Sequence, residues 1–430
     1  MSRRLLNIKQ PTLFEEDDRE SSDRSSSTFA DNMSLPVHRW FRYSAGFSAV
    51  WVRRLIQAAE QRELRVLDPF AGSGTVLVEA AATDVPAIGV ESHPFAARVA
   101  RAKLCNHVDA ESLKKAGLTM LRRAEKIDAR INGYPPLIRK CYTDEALAQL
   151  DQLRTAVLEK HDEPFGELAW LALAAILRQC SPVGTANWQY ILPRKTKAKT
   201  SEPFTAFRSK IQQMAFDLTE TTRPSVASKL LQTDARNLEG VPDQWASLVI
   251  TSPPYPNNFD YADATRLEMT FFGEIAGWGD LQEGVRRYLV RSCTQHVSPI
   301  VLQTNSIVDS PELAPIRPAI EDVCGRLEKE RHLHGGKKNY HTMIAAYFHD
   351  MAKVWKQLRR VTSARSKICF VIGDSAPYGI YVPVEQWMGM LALASGFHSF
   401  TFEKTRDRNI KWKNRKHRVP LHEGRLWVEG

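Results

Sequence analysis

The chain has 430 residues, 43% of them apolar and 25% charged, which excludes a low-complexity or collagen-like polypeptide and gives enough material for a sizeable core. Its formal charge is +10 and its isoelectric point about 9.3, a cation excess that points to a polyanionic partner, nucleic acid above all. No run reaches the roughly eighteen apolar residues of a membrane span, and the six cysteines form no C-x-x-C pair, so the expectation is a reduced, cytoplasmic protein without a zinc ribbon or disulfide scaffold.

Residues 1–33 include "FEEDDRESSDRSSSTFADN", a charged, serine-rich stretch that predicts a disordered tail. The spacing of apolar residues in "VWVRRLIQAAE" (50–60) predicts a helix. A short strand "LRVLD" (64–68), a glycine turn and a helix from Thr75 to about Thr83 come next, then a strand "AIGVES" (87–92) and a helix "PFAARVARAKL" (94–104). Strand, turn, helix, strand, helix implies a parallel α/β sheet. Residues 105–228 have a largely helical pattern and form an insert. The sheet pattern returns in "LLQTDARNLE" (230–239) and "ASLVITSPPY" (246–255). Residues 274–340 are mixed, "AAYFHDMAKVWKQLRR" (345–360) is an amphipathic helix, and "ICFVIGDS" (368–375) is a buried strand. A helix over 384–395 and two closing strands, 397–404 and 424–430, complete the pattern.

Two stretches carry chemistry. In "DPFAGSGT" (68–75), Gly72 and Gly74 lie between strand and helix, where glycine lets the backbone turn sharply and approach a ligand. Glu91 ends the next strand and suits ribose hydroxyls. The turn lacks the Gly-Lys-Ser/Thr of a triphosphate site and the third glycine of a dinucleotide site. Asp68 would repel a pyrophosphate and suits a cationic ligand such as S-adenosylmethionine; the alternative is that it only caps the turn. The second stretch, "TSPPY" (251–255), ends an apolar strand in two prolines, a rigid, donor-poor knuckle.

Together these stretches resemble the exocyclic-amino DNA methyltransferases, which methylate N6 of adenine or N4 of cytosine. The resemblance covers roughly residues 35–104, 228–275 and 345–430. It implies a Rossmann-like, mostly parallel α/β sheet with an antiparallel closing hairpin. The cofactor-binding half is 34–104, the catalytic half is 229–430, and the helical insert 105–228 is the candidate target-recognition region. It further implies S-adenosylmethionine held by Phe47, Asp68, Phe70, Gly72, Gly74, Thr75, Glu91 and Asp234. Catalysis falls to Ser252, Pro253, Pro254 and Tyr255: Ser252 Oγ and the Pro253 carbonyl accept amine hydrogens, and Tyr255 stacks on an extruded base. A hydroxyl at position 252 could also rotate to donate to a ring nitrogen. Serine before Pro-Pro favours cytosine N4 through the resemblance; adenine N6, an RNA amino-methyltransferase and a catalytically inactive DNA-binding relative stay open.

The run "KTRDRNIKWKNRKHR" (404–418) puts Lys411, Lys413, Arg415 and Lys416 around Trp412, a pattern for phosphate contact and stacking, or for a solvated loop. Double-stranded DNA is the expected partner, with a cognate restriction endonuclease or other defence protein as a candidate second one. His332, His334, His341 and His349 fit no zinc spacing, and no metal is expected.

Overall fold

The computed structural model describes residues 31–43, 46–60, 63–159, 164–185, 191–197, 199–221, 224–408 and 419–430. Two 3-10 turns, Asp31–Ser34 and His38–Trp40, precede helix α1 (Ala49–Gln57), whose first turn is capped by Ser48 Oγ accepting the Trp51 N–H. Asp31 to Met33 were expected in the tail. Instead Asn32 is buried, donating to the Phe47 carbonyl and accepting the Ala49 N–H, both at 2.9 Å, so the ordered core reaches back past the composition boundary.

Strand β1 (Val66–Asp68), helix α2 (Thr75–Ala82), strand β2 (Ala87–Val90) and helix α3 (Pro94–Leu104) follow as the sequence pattern requires. Pro94 starts α3 at a position where no backbone donor is needed and its fixed φ is already helical. The insert contributes helices α4 (Ala110–Ala124), α5 (Asp144–Leu158), α6 (Phe165–Cys180) and α7 (Pro203–Thr219), with an antiparallel ribbon of β3 (Val183–Thr185) and β4 (Ile191–Thr196). The chain re-enters the sheet with β5 (Lys229–Leu231) and β6 (Ala246–Thr251), then forms helices α8 (Arg266–Phe272), α9 (Arg317–Leu333) and α10 (Tyr340–Val361). Strand β7 (Thr362–Gly373), helix α11 (Val384–Ala394) and strands β8 (Ser399–Arg408) and β9 (Leu421–Glu429) close the fold.

The seven-stranded sheet has the order β5-β2-β1-β6-β7-β9-β8. Pairings from β5 to β7 are parallel, and β7–β9 and β9–β8 are antiparallel, which is the expected α/β sheet with a closing hairpin. The chain builds outward from β1 through β2 and β5, then returns to β6 on the other side of β1. Such a reversal opens a crevice at the carboxyl ends of the strands. No helix among the described residues is long and apolar enough to cross a membrane.

The insert shares one apolar core with residues 37–102. Trp170 of α6 meets Phe95 of α3 at 5.4 Å and Phe272 of α8 at 5.3 Å between ring centroids. Asp217 of α7 is fully buried and takes the Trp40 indole N–H at 2.8 Å and the Arg39 guanidinium through Nε and Nη2. Removing a buried carboxylate strands its partners, which typically costs about 3 kcal/mol or more. Asp217→Ala is therefore expected to lower unfolding stability by about 3 kcal/mol in denaturant titrations. A loss below about 1 kcal/mol would show that the insert is docked by its apolar contacts alone.

Candidate active site

The residues that follow four neighbouring parallel strands converge on one cleft. Phe70 and Gly72 follow β1, Glu91, Ser92 and His93 follow β2, Asp234 and Ala235 follow β5, and Ser252 and Pro254 follow β6; all of them line it. Tyr43, Tyr261, Tyr288, Leu289 and Val290 complete the wall.

Gly72 has φ +52°, and a Cβ there would stand 3.3 Å from the Tyr43 ring, so the turn is both left-handed and tight against the cleft. Its N–H donates to Glu91 Oε2 at 2.7 Å, while Glu91 Oε1 accepts the His93 N–H at 2.7 Å. The half-buried Glu91 thereby ties the β1 turn to the end of β2. Burial pushes its carboxyl up to about 7, against the opposing pull of these backbone donors. Gly74, at φ +84°, faces α3: an added Cβ would lie 3.1 Å from Ala100 Cβ, so this glycine serves helix packing and is not among the residues lining the cleft. Thr75 is buried at the first turn of α2.

Asp68 is also buried and absent from the lining. Its Oδ1 accepts the Phe70 N–H at 3.1 Å and the Thr251 hydroxyl at 2.6 Å. It thus caps the turn and bonds β1 to β6 beside the Pro-Pro loop. Burial pushes its carboxyl up to about 7. Phe47 packs edge-on against Trp51 at 5.8 Å inside an apolar cluster, and the aromatic from its segment that reaches the cleft is Tyr43. Segment and residue type are legible in sequence; which of two nearby aromatics faces the ligand is not.

At the catalytic loop Pro253 is buried and Pro254 reaches the cleft. Ser252 Oγ donates to the Val371 carbonyl of β7 at 3.1 Å. Ser252 is also in side-chain hydrogen-bond contact with Tyr255, so its hydroxyl joins the Pro-Pro loop to β7. Tyr255 is not among the lining residues; the Arg408 guanidinium lies over its ring at 5.3 Å, and burial holds its hydroxyl protonated.

One wall was not legible in the sequence. Tyr288, Leu289 and Val290 lie between Arg286, which binds buried Asp260 at 2.6 Å, and Arg291, which binds fully buried Asp350 through backbone and side chain. Arg236 joins this wall to the cofactor side. It pairs with Asp234 through both carboxylate oxygens and donates to the Arg287 carbonyl at 3.1 Å. His93 is a second unpredicted member. Burial lowers its ring to about 4, so it is neutral; Nδ1 accepts the Ala96 N–H, which assigns the proton to Nε2, donating to Thr265 Oγ1 at 2.9 Å.

Among the described residues, Asp260, Cys293 and His296 bring ligand atoms within 4.8 Å of one another. Arg286 already occupies the Asp260 carboxylate, and burial pushes the Cys293 thiol up to about 12, so the trio does not suit a cation. The four histidines between 332 and 349 are not brought together as ligands. A larger hollow of about 770 Å³, bounded by Arg123, Tyr134, Arg154 and Phe271, holds none of the motif residues. Lys411, Trp412, Lys413, Arg415 and Lys416 lie outside the described residues.

Residues 12–102, which carry the glycine turn and Glu91, match the N6/N4 methyltransferase family described as DNA methylase. Over these residues the chain is similar to the N6/N4 DNA methylases. It is 27% identical over 414 residues to type II methyltransferase M.AvaI of a Nostoc species, covering 88% of this chain and 83% of the relative. It is 22% identical over 439 residues to M.BsoBI of Geobacillus stearothermophilus, covering 91% and 84%. A shorter likeness, 29% over 105 residues, links it to M.MjaII of Methanocaldococcus jannaschii, covering 24% and 17%. The DNA methylase relationship implies S-adenosylmethionine as methyl donor, and the cleft fits it: a glycine cradle at Gly72, carboxylates at Glu91 and Asp234, and an apolar slot of Phe70, Ala235, Leu289 and Val290.

The raised carboxyls set a pH dependence. Asp68 and Glu91 are each about half protonated near pH 7 because burial disfavours their charge. A cationic ligand, or a ribose hydroxyl donating to the carboxylate, favours the ionised form. Binding should then release protons, and affinity should rise about tenfold between about pH 6 and 8 for each carboxyl the ligand needs ionised. Calorimetry in buffers of different ionisation enthalpy reads both effects; an affinity that falls with pH would contradict them.

Proposed function

We propose that the protein transfers a methyl group from S-adenosylmethionine to the exocyclic N4 of cytosine in double-stranded DNA. One observation carries the reading: Gly72, Glu91, Asp234, Ser252 and Pro254, drawn from four separated segments, line a single cleft. The relatives named above are type II methyltransferases, which supports DNA as substrate and a cognate restriction endonuclease as candidate partner.

Bound S-adenosylmethionine supplies an electrophilic methyl group. Glu91 suits the ribose, Asp234 the adenine amino group, and Phe70, Ala235, Leu289 and Val290 the faces of the purine. Asp68 acts from beneath the turn, holding Phe70 and Thr251 in place and adding negative charge below the ligand's cationic end. The cytosine amine is a weak nucleophile because its lone pair is delocalised into the ring. Ser252 Oγ, its own proton given to Val371, accepts an amine hydrogen, and the Pro253 carbonyl accepts the second. Both contacts strengthen as the nitrogen becomes tetrahedral, so they act on the rate more than on binding; as the N–CH3 bond forms and the donor's S–CH3 bond breaks, the amine gives up one proton to solvent. No protein nucleophile is needed, and burial keeps Cys369, on the adjoining strand, a protonated thiol.

Ser252→Ala is expected to lower kcat by about a hundredfold while leaving cofactor affinity within about twofold. Nucleoside mass spectrometry of DNA methylated by the purified protein identifies the target. N4-methylcytosine supports the proposal, N6-methyladenine moves the same chemistry to adenine, and 5-methylcytosine would overturn it, since ring-carbon methylation needs a thiolate nucleophile.

The basic run 404–418 is proposed as a DNA contact. Neutralising Lys411, Lys413, Arg415 and Lys416 together should weaken binding to all DNA sequences alike and flatten its salt dependence, because phosphate contacts carry no base information. An unchanged salt slope in filter binding would assign the run to solvated surface.

A further inference from the structure

The Tyr255 side chain belongs to the Pro-Pro loop, yet the cation over its ring comes from the far edge of the sheet, with Glu423 of β9 a second charged neighbour. Arg408 is the last residue of β8 and lies over the Tyr255 ring at 5.3 Å. Its Nη1 donates to the Asp374 carbonyl at 2.9 Å. The path is tight: a Cβ at Gly373 would sit 2.5 Å from Arg408 Nη1, so the guanidinium crosses β7 where a glycine leaves room. Asp374 is itself held, its Oδ1 accepting the His422 N–H at 2.8 Å and its Oδ2 lying 3.0 Å from His422 Nδ1. His422 Nε2 faces Glu385 at 3.5 Å. The same end of β7 grips the loop on both sides of Tyr255. Ser252 Oγ donates to the Val371 carbonyl, and Ser375 Oγ donates to the Pro256 carbonyl at 2.6 Å.

We propose that Arg408 is a positioning residue for methyl transfer: it fixes the Tyr255 ring so that the loop receives an extruded base in one orientation. The inference rests on the functional reading above. A guanidinium over an aromatic ring is an oriented attraction, and here both the cation and the loop are tied to the same strand end. Arg408 is also the last described residue of β8 before the rest of the basic run in the sequence, so the strand that leads toward the proposed DNA contact supplies the group that orders the Pro-Pro loop.

Such a role predicts an effect on turnover that is separate from charge. Arg408→Ala should lower kcat about tenfold at saturating unmethylated plasmid DNA, with S-adenosylmethionine affinity by calorimetry and the salt slope of DNA binding unchanged. Arg408→Lys, which keeps a cation able to sit over the ring, should recover part of the loss. Lys329→Ala, removing one exposed charge from α9, should leave kcat unchanged. With 3-fluorotyrosine incorporated, the Tyr255 fluorine resonance, assigned with Tyr255→Phe, should shift or broaden in Arg408→Ala without DNA present. If Arg408→Ala raises only KM for DNA and reduces the salt slope, the residue is a phosphate contact and the proposal falls. It falls equally if kcat and the Tyr255 resonance are both unmoved. A parent protein that methylates no DNA would defeat the functional reading, while the fluorine signal would still decide whether Arg408 orders the ring.

Discussion

The site depends on parallel pairing of β1 with both of its neighbours. Asp68 stands opposite Gly89 of β2, and Leu67 opposite Val249 of β6, so the segments that follow all three strands leave the sheet at the same edge. Because the neighbours run in the same direction as β1, each must be reached by a long crossover, and residues far apart in the chain meet without any local signal between them. The Asp68–Thr251 hydrogen bond draws the glycine turn to the Pro-Pro loop, and the Gly72–Glu91 bond draws it to the end of β2. The glycine turn is thus tied to both neighbouring strand ends by two carboxylates at the same sheet edge, Asp68 buried and Glu91 half-buried.

Around that edge the protein uses buried charge as scaffolding. Asp260 and Asp350 each hold an arginine of the segment that walls the cleft, and Arg236 bridges the same segment to Asp234. Taking one partner away from such a pair leaves an uncompensated charge, so the wall has little freedom to adopt another arrangement. The helical insert follows the same logic, with Asp217 clasping Arg39 and Trp40 just before the first strand. The insert is therefore built into the body that carries the cleft.

Much of the fold was legible because local signals and global fold agree. Pro94 and the apolar spacing after it fix α3 at Pro94–Leu104, and the glycine turn leads into α2 as its composition demands. Helix α10 begins five residues before the amphipathic stretch 345–360, because Tyr340 to Ile344 join the same buried face. The motif residues that reach the cleft, Phe70, Gly72, Glu91, Asp234, Ser252 and Pro254, are those whose backbone leaves a strand end, a position that sequence patterning can specify. Residues acting through side-chain direction were harder to read. Phe47 and Tyr43 are four residues apart in one segment, and only the packed structure shows that the tyrosine lines the cleft. Asp68 was expected to face the ligand and instead spends Oδ1 on the turn and on Thr251. The Tyr288–Val290 wall was invisible because its anchors, Asp260 and Asp350, are ordinary acidic residues until the fold brings them to Arg286 and Arg291.

The central claim, that the cofactor is held where the glycine turn, Glu91, Asp234 and the Tyr288–Val290 wall meet, is tested most directly by photo-crosslinking radiolabelled S-adenosylmethionine to the purified protein and mapping the labelled peptides. The account predicts label in the peptides containing Tyr43, Phe70–Gly72, Glu91–His93, Asp234–Ala235 or Tyr288–Val290, competed by unlabelled cofactor. Saturable label confined to the hollow around Tyr134 and Arg154, with none in those peptides, would contradict it.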